Sequence, residues 1–401
     1  MLIENKTPYI LLIISIICFG CNSEELEKYV EEKTTPLTNH WEFAIPNQEV
    51  PEGLSSLSSA QCGACHQQHY QEWKMSTHAH AWTDLQFQAE LKKESSPFMC
   101  INCHIPLQNQ QEYIIKGLIN GDIYRPVKEK NPYFDKDLQQ EGINCASCHV
   151  RNNVIIGPTG TNKAPHKTVK DTKHLSEQLC ISCHNAVAVI TPTLACTFQT
   201  GDEWKSGPFY GNKNCISCHM EETFREVVAG YGKRKSRFHY FSGSGIPKLK
   251  GATTTMLNGL EITPQKIKYI YKVNEKLTYA LKVKNEHAGH RVPTGDPERF
   301  FIIQFEIKNL SGKVVATQKD RIGEKWQWYP EAKKLNDNNL NPGEERIFTF
   351  LNVMKLKGKY TLMVRVTKHR MNEETAKYNK LGDDYPLFIS IFKEEYEFKV
   401  R

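Results

Sequence analysis

Five copies of one short grammar stand out in the chain. They are Cys62-Gly-Ala-Cys65-His66, Cys100-Ile-Asn-Cys103-His104, Cys145-Ala-Ser-Cys148-His149, Cys180-Ile-Ser-Cys183-His184 and Cys215-Ile-Ser-Cys218-His219. Two thiols three residues apart, with an imidazole directly after the second, suit covalent attachment of haem c. Each thiol adds across a porphyrin vinyl group, and the histidine falls under the iron as its proximal ligand. A redox disulfide uses such a pair once, and a zinc ribbon needs no histidine after every second cysteine. The repeat predicts five covalently bound haem c groups.

The elements that must hold them have little chain to work with. Five haems over roughly 180 residues leave about 36 residues each, too few to wrap every cofactor in an ordinary aliphatic core. The porphyrins themselves are expected to be the interior, with short helices and loops around them. This gives a mainly α/loop multihaem cytochrome domain over residues 61–250 that should not fold without haem. Formal charge is +7. Each ferric haem with two propionates removes about one unit, so the holoprotein sits near about +2. That balance gives no argument for nucleic acid or for a basic membrane patch.

Residues 1–20 read as an export signal: Lys6, the apolar run Tyr9–Phe19, then Gly20. The run is too short to span a bilayer comfortably. A small residue before Cys21 predicts a lipoprotein in which Cys21 is acylated and anchors the chain to a membrane. Cys18 and Phe19 fit that pattern imperfectly, so an ordinary signal peptide or retained anchor is the other reading. Export itself is expected, since c-type haem is attached outside the cytoplasm in bacteria. Residues 21–60 read as a polar tether with nothing resembling core. Asn22, rather than Asp, favours the outer membrane on lipoprotein analogy, hence a periplasmic or surface location. Cys196, the odd thiol of the mature chain, is expected to be buried and inert.

Beyond the first motif, Tyr70 and Trp73 form an apolar stripe at helical spacing, followed by Ser76-Thr77-His78-Ala79. Were that run helical, His78 would lie about 18 Å from His66. Two axial ligands of one iron are only about 4 Å apart. His78 can therefore serve only another haem, and His69 reads as a surface or propionate contact.

This order of residues resembles the opening of the cytochrome c-554 family of multihaem cytochromes, whose haem packing is shared with hydroxylamine oxidoreductase. The resemblance continues through Glu141-Gly-Ile-Asn144-Cys145, Gly157-Pro158 and Ala164-Pro165-His166. It persists in Leu179-Cys180 through Asn185, Thr200-Gly-Asp-Glu203-Trp204 and Cys218-His219-Met220, so that it covers most of residues 60–245. It implies that His78 caps the third haem and His166 the first. Of the remaining histidines, His174, His239 and His290 are the favoured distal ligands. Met75 and Met220 read as packing, and the second haem as the one that can lack a sixth ligand, as happens in relatives.

After about residue 251 the texture changes. Cysteine vanishes, and period-2 alternation runs through Leu277–Val283, Phe300–Ile307, Arg346–Leu351, Tyr360–Val366 and Phe388–Val400, with turns at Ser311-Gly312, Asn341-Pro342-Gly343 and Lys357-Gly358. Six or seven strands over residues 251–401 predict an immunoglobulin-like β-sandwich. Inside it, His287-Ala-Gly-His290-Arg-Val-Pro293-Thr-Gly295 looks like a loop of multihaem cytochromes with a C-terminal β domain. The expectation is that it reaches back and docks an imidazole on a haem.

Two functions remain open. One is an electron carrier, its irons held by two histidines each, meeting redox partner proteins. The other is an oxidoreductase acting on a small nitrogen or sulfur oxyanion at a five-coordinate haem. No Cys-x-x-Cys-Lys motif exists here, so the lysine-ligated haem of ammonia-forming nitrite reductases is absent. The sequence identifies neither the partners nor the oligomeric state.

Overall fold

The computed structural model describes residues 32–401 apart from positions 95, 162, 192 and 193, with the side chains of 188–196 left aside. The signal segment 1–20, Cys21 and the side chain of Cys196 lie outside the described residues.

Four attachment motifs end in or fill a short helix, and the first begins in one. These are Ser59–Gly63, Phe98–His104, Cys145–His149, Glu177–His184 and Cys215–His219. A helical turn is what puts a cysteine, the cysteine three residues on and the next histidine on one face. The caps are written into the sequence. In the third and fifth motifs the preceding Asn144 and Asn214 accept from Ser147 N and Ser217 N at 2.9 and 3.0 Å. Those serines return the bond to the asparagine N–H, a reciprocal capping box.

Neighbouring motif helices are pinned to one another. Ser59 N donates to Glu141 Oε2 and Cys145 N to Ser59 Oγ, tying the first motif to the third. Asn214 Nδ2 donates to Glu177 Oε2 at 3.0 Å, tying the fifth to the fourth. The apolar clusters here are small. One holds five buried residues, Leu57, Leu107, Leu138, Ala146 and Val150; the other holds Phe98, Met99 and Leu118. Other apolar side chains buried among the described residues, such as Trp73, Phe87 and Trp204, stand outside these clusters, and this scattered burial without one large core fits a cofactor-filled interior.

The N-terminal segment corrects one expectation. Residues 21–60 were expected to be a polar tether, but the described part, residues 32–60, packs on the haem domain. Thr34–Thr35 adds a strand to Tyr113–Ile119, Trp41 packs against Phe98 and Met99, and Leu57 is buried. Gln48 and Asn109 exchange backbone and side-chain bonds at 2.8 and 3.0 Å. A domain poor in aliphatic side chains recruits these few, and polar-looking composition hid them.

The C-terminal part builds two sheets. Strands Leu260–Pro264, Lys276–Asn285 and Glu345–Val353 form one. The other takes the order Ile270–Tyr271, Phe388–Val400, Gly358–His369, Phe300–Asn309, Val314–Ile322. Alternate residues of Lys276–Asn285 are buried, the pattern of a strand with one face on a core. Tyr279 and Phe350 from the first sheet meet Phe305 of the second at 5.8 and 5.6 Å between ring centres. Twenty-two buried residues share this core, against five and three in the clusters above. At about 1.5–3 kcal/mol for each large side chain fully buried, this half can fold on its own.

The halves are joined at named contacts. Tyr385 Oη donates to Asp84 Oδ1 at 2.7 Å and Arg370 donates to the carbonyl of Ile246 at 2.9 Å, while Lys248 pairs with Asp84 from within the haem domain. Gly207 meets Gly289 so closely that a Cβ on Gly207 would lie 2.2 Å from the Gly289 carbonyl oxygen. Among the described residues no helix is long and apolar enough to cross a membrane.

Candidate haem centres

Four of the five proximal histidines face a second imidazole. Ring centres are 6.5 Å apart for His66 and His166, 6.2 Å for His149 and His239, 6.3 Å for His78 and His184, and 6.3 Å for His219 and His290. Two imidazoles sharing one metal at about 2.0 Å each put their ring centres about 6.3 Å apart. The residues present therefore fit haem iron held by two histidines at these four positions. Bound there, haem would supply one-electron redox chemistry.

The hydrogen bonds prepare the rings for that role. Nδ1 of His66, His104, His149 and His219 lies 3.1, 2.7, 2.8 and 2.6 Å from the carbonyls of Val227, Ala81, Ile156 and Ser242. His239 and His290 do the same with the carbonyls of Arg237 and Arg291, at 3.0 and 2.8 Å. A carbonyl only accepts, so Nδ1 carries the proton and the Nε2 lone pair is left for a metal. Burial holds His78 down to about 3 and His104, His184, His239 and His290 to about 4. Each ring is thus neutral at pH 7, the form that ligates.

Two expectations change. His78 was expected over the third haem, yet it faces His184 of the fourth motif, and His239 takes the place opposite His149. The cause is local: Ile143 N donates to the His78 carbonyl at 3.0 Å, and Gly142 packs on the same backbone. The 78 loop is stapled to the flank of the third motif by its main chain, which turns the side chain toward the fourth. His174 stands apart from the four pairs. Its Nε2 lies 3.0 Å from the carbonyl of Cys148, so that nitrogen carries a proton rather than a free lone pair.

His104 differs from the other proximal rings. The ring found against it among the described residues is Phe87, stacked at 3.6 Å and 6°. Phe87 belongs to the helix Leu85–Leu91, whose N-cap Asp84 is the residue held by Tyr385 and Lys248. Sequence reasoning missed this residue, and also Glu72. Buried Glu72 pairs with Arg225 through both oxygens and accepts from His239 N at 2.8 Å, fixing the backbone beneath that ligand. The available signal was an acid set between Tyr70 and Trp73 on an otherwise apolar stripe. His69 is not a surface contact. It lies edge-on to His239 at 4.7 Å, with Nε2 on Ser236 Oγ.

Motif sulfurs report how the centres adjoin. Cys62 neighbours Cys145, Cys103 neighbours Cys183, and Cys180 neighbours Cys215, while Cys148 lies close to Cys183. The run is first, third, fourth, fifth, with the second beside the fourth.

Residues 61–120 match the model of a family described as cytochrome c554 and c-prime. The fold as a whole is similar to that of a penta-heme cytochrome c552 from Thermochromatium tepidum. That match has 17% identity and a TM-score of 0.61, covering 87% of this chain and 100% of that one. With its five Cys-x-x-Cys-His motifs, the chain has the attachment motifs and the fold of a multihaem c-type cytochrome. Two further likenesses carry no argument about it. The CARDB domain of PF1109 from Pyrococcus furiosus matches with 19% identity and a TM-score of 0.20, covering 35% of the cytochrome and 87% of that chain. Cilia- and flagella-associated protein 52 of Sus scrofa is 25% identical over 114 residues, 28% of the cytochrome. The cytochrome spans only 18% of that protein's length.

Proposed function

We propose that this cytochrome is an exported pentahaem electron carrier working between membrane-linked donors and periplasmic or surface acceptors. The observation that carries the reading is the set of four imidazole pairs at the spacing of a shared metal. An iron with two histidines has no position for substrate, and histidine rather than methionine ligation favours low potentials. His166 would serve the first haem, His239 the third, His78 the fourth and His290 the fifth. The number five rests on the five motifs, with support from the penta-heme neighbour that shares the fold. The signal-like residues 1–20 would direct export, and an acylated Cys21 would hold the chain at the outer membrane. For the C-terminal half, two packed sheets of three and five strands favour an immunoglobulin-like sandwich. Its role would be to deliver His290.

The test is an intact-mass measurement together with ferric EPR on the purified holoprotein. Five covalent haems and low-spin signals are expected for the carrier. A chain without a Soret band would end the reading.

A second reading is favoured by one observation, the distinct setting of His104 against Phe87. If the second haem is five-coordinate, it can take a small nitrogen or sulfur oxyanion, and the cytochrome is an oxidoreductase. A high-spin EPR component that shifts with nitrite or hydroxylamine would decide for it.

A further inference from the structure

The ends of the haem run are unequally covered. The fifth motif is roofed by the β-domain loop that brings His290 to His219. The helix behind the second motif's His104 is tied to the β domain through Asp84 and Tyr385. The first motif lies at the other end, where Cys62 neighbours Cys145 of the third. Its second cysteine, Cys65, is the one exposed cysteine of the ten; the other nine are half-buried.

Two exposed basic segments flank this end. On the His66 side, the carbonyl bonded to the ring is that of Val227, in the turn between strands Glu222–Glu226 and Lys233–Arg237. That turn carries Tyr231, 79% exposed, and leads into exposed Lys233-Arg234-Lys235. On the His166 side stand exposed Lys163, Lys167 and Lys170. That loop is held in place by Gly53, where a Cβ would lie 1.9 Å from the Pro165 carbonyl oxygen. Glu226 lies across from Lys233, and Glu222 pairs with Lys235 at 3.1 Å. Among the described residues the other five cations form no ion pair, so their charge is offered to solvent.

We propose that the first haem, which Cys62, Cys65, His66 and His166 would hold, is the port through which electrons enter or leave, and that the partner docking there is an acidic redox protein. Unpaired cations around a redox edge raise the encounter rate of an anionic partner and orient it. The exposed Tyr231 ring supplies the apolar contact that such a transient interface places at its centre. The β domain covers the far end, which leaves this one for exchange. The proposal rests on the electron-transfer reading, and the two fail differently: a missing Soret band ends that reading before any rate is measured.

The experiment follows reduction of the ferric holoprotein by stopped flow. Two reductants are used, an acidic flavodoxin hydroquinone and the small cationic methyl viologen radical. The port variant combines Lys163→Glu, Lys170→Glu, Lys233→Glu and Arg234→Glu. A control variant carries Lys355→Glu, Lys357→Glu and Lys359→Glu on the exposed surface of the β domain. The flavodoxin rate of the unaltered protein should fall with added salt, since screening acts within about 8 Å at physiological ionic strength. At low salt it should fall at least about tenfold in the port variant and less than about twofold in the control. The viologen rate should not fall in either. Equal loss in the control, an unchanged flavodoxin rate, or an equal fall with viologen would overturn the proposal. So would a port variant that keeps its flavodoxin rate but no longer binds phosphatidylglycerol vesicles, which would assign the cations to a membrane surface.

Discussion

His219 and His290 face one another with ring centres 6.3 Å apart and planes 13° from parallel, although they come from opposite halves of the chain. The β-domain loop reaches that position because two glycines let backbones touch and because Glu203 holds it. Thr294 Oγ1 donates to Glu203 Oε2 at 2.6 Å, and Arg291 N donates to the same oxygen at 3.3 Å.

Gly289→Val should dislodge that imidazole. A Cβ at Gly289 would already lie 3.0 Å from the Phe209 ring, and branching would add further overlap. EPR should lose one low-spin signal while far-UV circular dichroism keeps the β signature, since the sandwich has its own core. His287→Ala, at an exposed position of the same loop, should leave the spectrum as it was. An unaltered spectrum in Gly289→Val would mean the loop is structural only.

Glu72→Gln removes the charge that balances Arg225. Both side chains are largely buried, and leaving one ion of such a pair uncompensated costs about 3–5 kcal/mol. Thermal unfolding of the holoprotein should move down accordingly, and the low-spin signal of the third haem should shift because the carboxylate that His239 N donates to becomes a neutral amide. A melting temperature within a degree or so of wild type would refute this assignment.

The imidazole partners can be told apart one at a time. His166→Ala, His239→Ala and His78→Ala should each convert one haem from low spin to high spin, seen by EPR or magnetic circular dichroism. His174→Ala should convert none, because its ring stands outside the four facing pairs and its Nε2 bonds the Cys148 carbonyl. A high-spin conversion in His174→Ala would reverse that assignment.

The domain boundary should weaken as pH rises. Burial and the nearby Asp296 carboxylate push Glu90 up to about 7 and Glu298 up to about 8; Lys93 opposes this and Asp84 adds to it at Glu90. Both acids hold a proton in the folded state that they release near 4.5 when unfolded. The folded chain therefore binds more protons between roughly pH 4.5 and 8, and its stability falls across that window. Partial solvent access at both side chains brings the combined effect to about 2–3 kcal/mol. Chemical denaturation of the holoprotein at pH 5 and pH 8 should show the loss, and Glu298→Gln should flatten it. A stability that rises over this range would contradict the burial of these acids.

The haem sites were legible because attachment chemistry is local. A cysteine, a second three residues on and a histidine next to it must share one helical turn, so their spacing survives any arrangement of the rest. The β strands were legible for a similar reason: a sheet with one buried face writes a period of two, as in Leu277–Val283, found inside the strand Lys276–Asn285. The ligand partners were not legible to that degree. His166, His239 and His290 can be named as candidates from the sequence, but His78 faces the fourth motif rather than the third, and His174 stands outside the four pairs.

What the sequence determined by itself is the chemistry each segment can do, because covalent spacing and strand period involve neighbours along the chain. What only the tertiary structure decided is which imidazole meets which. That pairing depends on backbone contacts between distant segments: Ile143 on the His78 carbonyl, Glu72 beneath His239, Gly207 against Gly289. A few ångströms of approach at such points choose among histidines that are equivalent as amino acids.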